Sequence, residues 1–161
     1  MIAVVAVAFA SAWASSAVGT RAQVRTVPCD QVIDHPRFPY RSGGYRLVLD
    51  TFSVPPAYLR QVVHVGGSWP YWRKAGLVIR AGVPAVTVTV PRAWRGRAAI
   101  IWGNAGNPAS SLRFASCGGP AREGRAYAGG FYLRARSGCV PLVFRVGARA
   151  ATVRFGVGRR C

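Results

Sequence analysis

Apolar and polar residues alternate along most of this chain in short runs broken by Gly, Pro and Asn, the period of two expected of half-buried strands. In the run 85–90, Val86, Val88 and Val90 fall on one side and Thr87 and Thr89 on the other. Tyr45, Leu47 and Leu49 oppose Arg46 and Asp50 in the same way. Leu77 and Ile79 alternate with Arg80, Leu112 and Phe114 with Arg113, and Phe131 and Leu133 with Arg134. Further on, Val140, Leu142, Phe144 and Val146 share one face, residues 147–149 turn the chain, and Val153, Phe155 and Val157 resume that face. This reads as a hairpin, because Gly147 takes a positive φ at little cost. No run keeps a helical period.

The connections refine the picture. Pro55 and Pro56 remove two consecutive backbone donors, so the segment 58–65 is expected to cross to a second sheet instead of closing a tight hairpin. Residues 91–96 have room for one helical turn that puts Trp94 at the end of the sandwich, and 98–103 read as a strand with Trp102 between the sheets. A turn follows over 104–108. Together the elements predict an all-β fold, an Ig-like antiparallel β-sandwich.

The sandwich is assigned to 45–161. Residues 23–44 read as a Pro/Gly-rich lead-in, since the prolines of His35-Pro36-Arg37-Phe38-Pro39-Tyr40 forbid ladder pairing. Residues 1–22 read as a signal peptide: the apolar run 2–18 carries small residues at its end and the triplet Ala12-Trp13-Ala14, although no basic residue precedes it. A membrane anchor is the competing reading, but the run falls short of the ~20 residues that span a bilayer. Thr26-Val27-Pro28 before Cys29 lacks the pattern of a lipid-anchor site.

Four cysteines in an exported chain predict two disulfides. The favoured pairing is Cys117 with Cys139, around 126–136, and Cys29 with Cys161, stapling the ends of the mature chain. The competing pairing joins Cys139 to Cys161 across the terminal hairpin. No Cys-x-x-Cys pair exists and only His35 and His64 are available to help, so neither zinc nor any cofactor is expected.

Charge narrows the partners. Lys and Arg number 22 against 4 Asp and Glu, a formal net charge of +18 that favours anionic partners. Lys74 is the single lysine. The arginine bias has an ordinary cause in a GC-rich genome, whereas the scarcity of acids does not. Arg46, Arg80, Arg113, Arg134, Arg145 and Arg154 fall on outward strand positions, so sheet faces studded with guanidinium groups are expected. Such faces suit teichoic acid, anionic lipid or extracellular nucleic acid, at about 1 kcal/mol per cation near a charged membrane surface. No motif for specific nucleic-acid recognition is present.

Candidate chemistry is sparse. His64 and Ser68 lie close in sequence and Asp50 is a possible orienting acid, yet 64–68 match no nucleophile elbow. Asp30, Asp34, Asp50 and Glu123 are the whole carboxylate supply. Among so many arginines each is expected in an ion pair with a lowered pKa, unsuited to acid catalysis, and calcium is disfavoured for the same reason. The most distinctive segment is Trp69-Pro70-Tyr71-Trp72-Arg73-Lys74, where aromatics interleaved with cations suit sugar rings or bases that carry anions. The plainer alternative packs Trp69 and Trp72 over a sheet edge and leaves the cations wet. The candidate binding residues are therefore Trp69, Tyr71, Trp72, Arg73, Lys74, Arg134, Arg145 and Arg154.

Three stretches carry a resemblance: Trp69-Pro70-Tyr71-Trp72-Arg73-Lys74-Ala75-Gly76-Leu77, Tyr127-Ala128-Gly129-Gly130-Phe131-Tyr132, and Val153-Arg154-Phe155-Gly156-Val157-Gly158-Arg159-Arg160-Cys161. Through them the mature chain resembles small secreted β-sandwich proteins of high-GC Gram-positive bacteria. The resemblance implies a recurring exported module and transfers no activity. The expectation is a secreted or envelope-associated binding or structural module, non-enzymatic, held electrostatically on anionic envelope polymers. One alternative is a protein-recognition or protease-inhibitor module presenting 66–74. The other is an enzyme acting on envelope polymers through Asp50 or His64.

Overall fold

The structure is a computed structural model that describes residues 24–103 and 106–161. The signal segment read at 1–22 lies outside the described residues, as do two positions of the turn read over 104–108. Fourteen strands and three 3-10 turns account for the regular structure, with no α-helix among the described residues. No helix among them is long and apolar enough to cross a membrane.

The six-stranded sheet runs β1 (Val24–Val27), β10 (Ser111–Phe114), β8 (Val86–Thr89), β13 (Gly138–Val146), β14 (Arg149–Val157), β4 (Tyr58–Leu59). Its interior pairs are antiparallel, while β1 and β4 join parallel at the two edges. A second sheet runs β11 (Gly124–Tyr127), β7 (Leu77–Arg80), β3 (Phe52–Val54), β2 (Arg46–Val48), and a third runs β5 (Val63–His64), β6 (Tyr71–Lys74), β12 (Gly129–Leu133), β9 (Ala98–Trp102). Of the segment 58–65 expected to cross after the prolines, only its first part does so. The chain crosses to the six-stranded sheet for β4 and returns to the third sheet for β5.

The second and third sheets are two halves of one bent layer. Tyr127 pairs with Leu77 and Gly130 with Lys74, so one register persists through the break between β6 and β7. At the bend the backbones approach closely. A Cβ at Gly129 would overlap the Ile101 carbonyl, and one at Gly130 the Arg73 carbonyl, so only glycine fits. The bend also frees two carbonyls from the ladder. The Trp102 indole donates to the Ala75 carbonyl (2.7 Å) and the Tyr45 hydroxyl to the Gly76 carbonyl (3.1 Å).

Both halves pack on the six-stranded sheet. Ring contacts run from Trp102 to Phe131 (5.7 Å), Phe155 (5.3 Å), Phe144 (6.3 Å) and Phe52 (5.1 Å), joining all three sheets through side chains fully removed from solvent. Val88, Leu112, Val140, Leu142 and Val157 fill the space between, on the faces the alternation assigns them. The β13–β14 hairpin turns at Gly147 with φ 54°, and the 3-10 turn Arg92–Trp94 sets Trp94 half-buried against the core.

Three expectations need correction. The disulfides are Cys29–Cys117 and Cys139–Cys161, with Cα separations of 5.7 and 5.2 Å, and the pairing Cys117–Cys139 with Cys29–Cys161 does not occur. The reason lies in β1: its pairing of Val27 with Phe114 carries Cys29 beside Cys117. At the other end Cys139 pairs with Gly156, whose bare backbone lets 159–161 fold back onto it.

The segment read as a lead-in belongs to the fold. Besides β1, it supplies a strap in which Ile33 and Phe38 amides donate to the Ala126 and Arg122 carbonyls (2.9 and 2.8 Å). Its Tyr40 amide donates to the buried Ser53 hydroxyl (3.0 Å). The strap pairs along the β11 edge and reaches over Ser53, so β3 is buried on both faces and alternation there misleads. Arg46 pairs with Val54 and consequently points inward, its guanidinium 5.5 Å over the Phe155 ring. Burial lowers its pKa from the ordinary arginine value.

Three outcomes check this account. Replacing both Cys29 and Cys117 by Ser opens a link across a separation of 88 residues, and urea denaturation should show a loss of about 4–5 kcal/mol against about 3 for the Cys139/Cys161 pair. Non-reducing peptide mapping should recover those same two linkages. Trp102→Phe leaves a smaller ring in the core and strands the Ala75 carbonyl, which together should cost about 3 kcal/mol with far-UV circular dichroism unchanged.

Candidate functional site

One end of the sandwich gathers arginines that are far apart in sequence. Where β12 finishes, the Arg134 amide donates to the Arg97 carbonyl (3.0 Å), bringing these two residues together. Trp94 forms the floor beneath them. A side chain at position 138 would crowd the indole (3.4 Å), so Gly138 makes room for it, and the Arg97 guanidinium lies 5.8 Å from the Trp94 ring. The resulting cleft of about 310 Å³ is lined by Trp94, Arg97, Leu133, Arg134, Ser137 and Arg159 among others. Ser137 also borders a second hollow of about 360 Å³, with Arg60, Gln61 and Arg136.

The C-terminal residues reach this end because they are tied down. The Gly158 amide donates to the Leu59 carbonyl (2.8 Å), and the Cys139–Cys161 disulfide anchors the remaining three residues. Arg159 then borders the cleft and Arg160 lies 5.1 Å over the Tyr58 ring. Arg60, Arg97, Arg134, Arg136 and Arg159 are all solvent-exposed. Among the described residues, no side-chain carboxylate lies within ion-pair distance of any of them.

Three of the four acids sit elsewhere. Glu123, just before β11, receives Arg125 and His35. Asp34 bridges to Ala126, and Asp50 borders a hollow with Arg80 and Arg149. All three lie toward the Arg80/Gly124 end of the shared ladder, whereas the arginine cleft lies at its Tyr71/Leu133 end. These three carboxylates therefore lie away from the arginine cleft, accompanied by Arg80, Arg125 and Arg149.

Beside the arginine cleft is a larger, aromatic one of about 590 Å³, lined by Val65, Ser68, Trp69, Asn107, Pro108 and Tyr132 together with Gly66. The β5–β6 connection shapes it: Gly66 and Gly67 take φ of 75° and 69°, and the Val65 amide donates to the Pro70 carbonyl (2.8 Å). Val63, Trp72 and Tyr132 form a row across the outer face of the third sheet, and the Trp72 and Tyr132 rings lie 4.6 Å apart. Trp69 joins the two clefts. It lines the aromatic one while the Arg134 guanidinium, from the other, lies 5.2 Å over its ring.

The candidate residues thus divide. Trp69 and Arg134 come together, and Trp72 backs Tyr132. Lys74 shares the outer face of β6 with Trp72, whereas Tyr71 and Arg73 turn to the opposite face, Arg73 opposite the core residue Phe131. Arg145 and Arg154 lie on the outer face of the six-stranded sheet. There Arg145 shares a transverse row with Thr87 and Arg113. Sequence reasoning passes over Tyr132, Trp94, Arg97, Arg136, Arg159 and Arg60. Local signals exist in Arg134-Ala135-Arg136 and in Arg159-Arg160 before Cys161, but their convergence depends on long-range pairing.

Asp50 and His64 do not meet. Asp50 sits in the β2–β3 turn, its carbonyl facing the Arg80 guanidinium (3.5 Å), while His64 pairs with Tyr71 at the other end of the ladder. Among the described residues, no three His, Cys, Asp or Glu side chains cluster closely enough to hold a metal. No protein-family model matches the chain, and no curated protein or solved structure does so either.

Proposed function

We propose that the protein is an exported, non-enzymatic binding module whose arginine-rich end docks on anionic polymers of the cell envelope. The observation that carries this reading is the convergence of Arg60, Arg97, Arg134, Arg136 and Arg159 on two adjoining hollows with no described carboxylate opposing them. Cations held this close repel one another, and an anion relieves that repulsion as well as pairing with each guanidinium. Arginine's planar fork binds phosphate or carboxylate oxygens two at a time. Export is supported by two disulfides, which persist in oxidising compartments, and by the apolar N-terminal run.

Binding of this kind releases counterions and weakens steeply as salt rises. Retention on isolated Gram-positive cell walls should therefore fall sharply between 50 and 500 mM NaCl, by sedimentation assay. The triple variant Arg97→Ala/Arg136→Ala/Arg159→Ala should lose roughly 100-fold in affinity, at about 1 kcal/mol per cation. Arg113→Ala/Arg145→Ala/Arg154→Ala removes the same charge from the flat sheet face and should lose less than a few-fold. Equal losses would mean that net charge acts without a site, and salt-independent retention would end the proposal.

A further inference from the structure

We infer that the polymer is an acidic glycan seated across both clefts, one sugar ring against Trp69 and Tyr132 and its carboxylate or phosphate against Arg134 and the arginine cleft beyond. This rests on the reading of the arginine-rich end as a polyanion site and specifies what that site selects.

The two clefts share a wall. Arg134 lines one, and its guanidinium lies 5.2 Å over the ring of Trp69, which lines the other. An anion paired with Arg134 is therefore bound next to whatever fills the aromatic cleft. A purely electrostatic polyanion site has no use for that second hollow. Its volume of about 590 Å³ falls within the range of about 300–1,000 Å³ usual for small-ligand sites.

The lining fits a sugar. A pyranose presents C–H groups on one face and hydroxyls around its rim. Trp69 and Tyr132 offer aromatic surface for the first, with Tyr132 held in place by Trp72 (4.6 Å). The hydroxyl of Ser68 and the amide of Asn107 offer donors and acceptors for the second. Exposed Val65 (53%), just beyond the edge strand β5, adds apolar surface to the same cleft. A single-stranded nucleic acid also combines stacking with phosphate contacts, but it uses successive open aromatic platforms along its backbone. Here Arg134 lies over one ring and Trp72 packs at a tilt against the other, so the two aromatics of the cleft form one short surface and not a run of platforms.

Four probes separate the possibilities in calorimetric titration of the full, oxidised chain: oligogalacturonate (charged sugar), inorganic polyphosphate (charge without sugar), dextran oligosaccharide (sugar without charge) and oligo(dT). Oligogalacturonate should bind at least tenfold tighter than polyphosphate of equal charge at 150 mM NaCl and should alter tryptophan fluorescence, while dextran binds far more weakly. Trp69→Ala and Tyr132→Ala should each weaken oligogalacturonate tenfold or more and leave polyphosphate unchanged. Ser68→Leu, at an exposed loop position that fills the cleft without touching the core, should do the same and keeps the test open if an aromatic variant misfolds. Polyphosphate or oligo(dT) binding as tightly as oligogalacturonate, or equal losses for all ligands in these variants, overturns the inference and leaves the electrostatic reading standing. If no anionic probe binds even at 50 mM NaCl, both fall.

Discussion

A buried carbonyl without a donor costs a β-protein as much as a sizeable hole in its core, and the whole second layer of this molecule turns on supplying one. The shared ladder of β6–β7 with β11–β12 has to bend so that both halves can cover the six-stranded sheet. Bending turns the Ala75 and Gly76 carbonyls out of the ladder, although the Ala75 amide still donates to the Gly129 carbonyl. Trp102 does two things at once there: its ring begins the chain of aromatic contacts through the core, and its N–H meets the Ala75 carbonyl at 2.7 Å. Without that donor, the bend would carry an unsatisfied acceptor at its most buried point.

The bend positions the two clefts. The third sheet sits over one end of the six-stranded sheet, and there β12 delivers Tyr132 to its outer face and Arg134 to the rim. Trp69 comes from the β5–β6 loop and Arg97 from the residues before β9. Three separate stretches of chain thus meet around Arg134. The core fixes their spacing, whereas the arginine tips remain wet and free to adjust to an anion. Glu123, Asp34 and Asp50 lie toward the far end of the same ladder, so these three acids do not compete for the arginines of the cleft.

How much of the fold and the site is legible in the sequence depends on how local each signal is. The alternation of β8, β13 and β14 and the Gly147 turn stand out because each strand faces the core on one side and solvent on the other. The β1 strand does not, since a parallel edge strand has no hairpin turn to announce it, and the disulfide pairing is lost from view with it. Arg46 reads as outward because alternation assumes one wet face, while the strap covers the outer face of β3 and pushes the polar position inward. The aromatic segment is conspicuous as a sequence, but strand geometry splits it: Trp72 and Tyr71 alternate to opposite faces, and the partner Trp69 finds is Arg134, 65 positions along the chain. The arginine end is the least legible part, because its members come from several elements and only the fold assembles them.

The terminal disulfide gives that end a maturation step. Beyond Gly158 the chain is secured by the bond from Cys161 to Cys139, so Arg159 and Arg160 have fixed addresses only once those thiols are joined. Without that bond the last three residues keep only their packing on the Gly156 backbone and the contact of Arg160 with Tyr58. The sulfur link that closes the chain's end thus also sets where one wall of the arginine cleft stands.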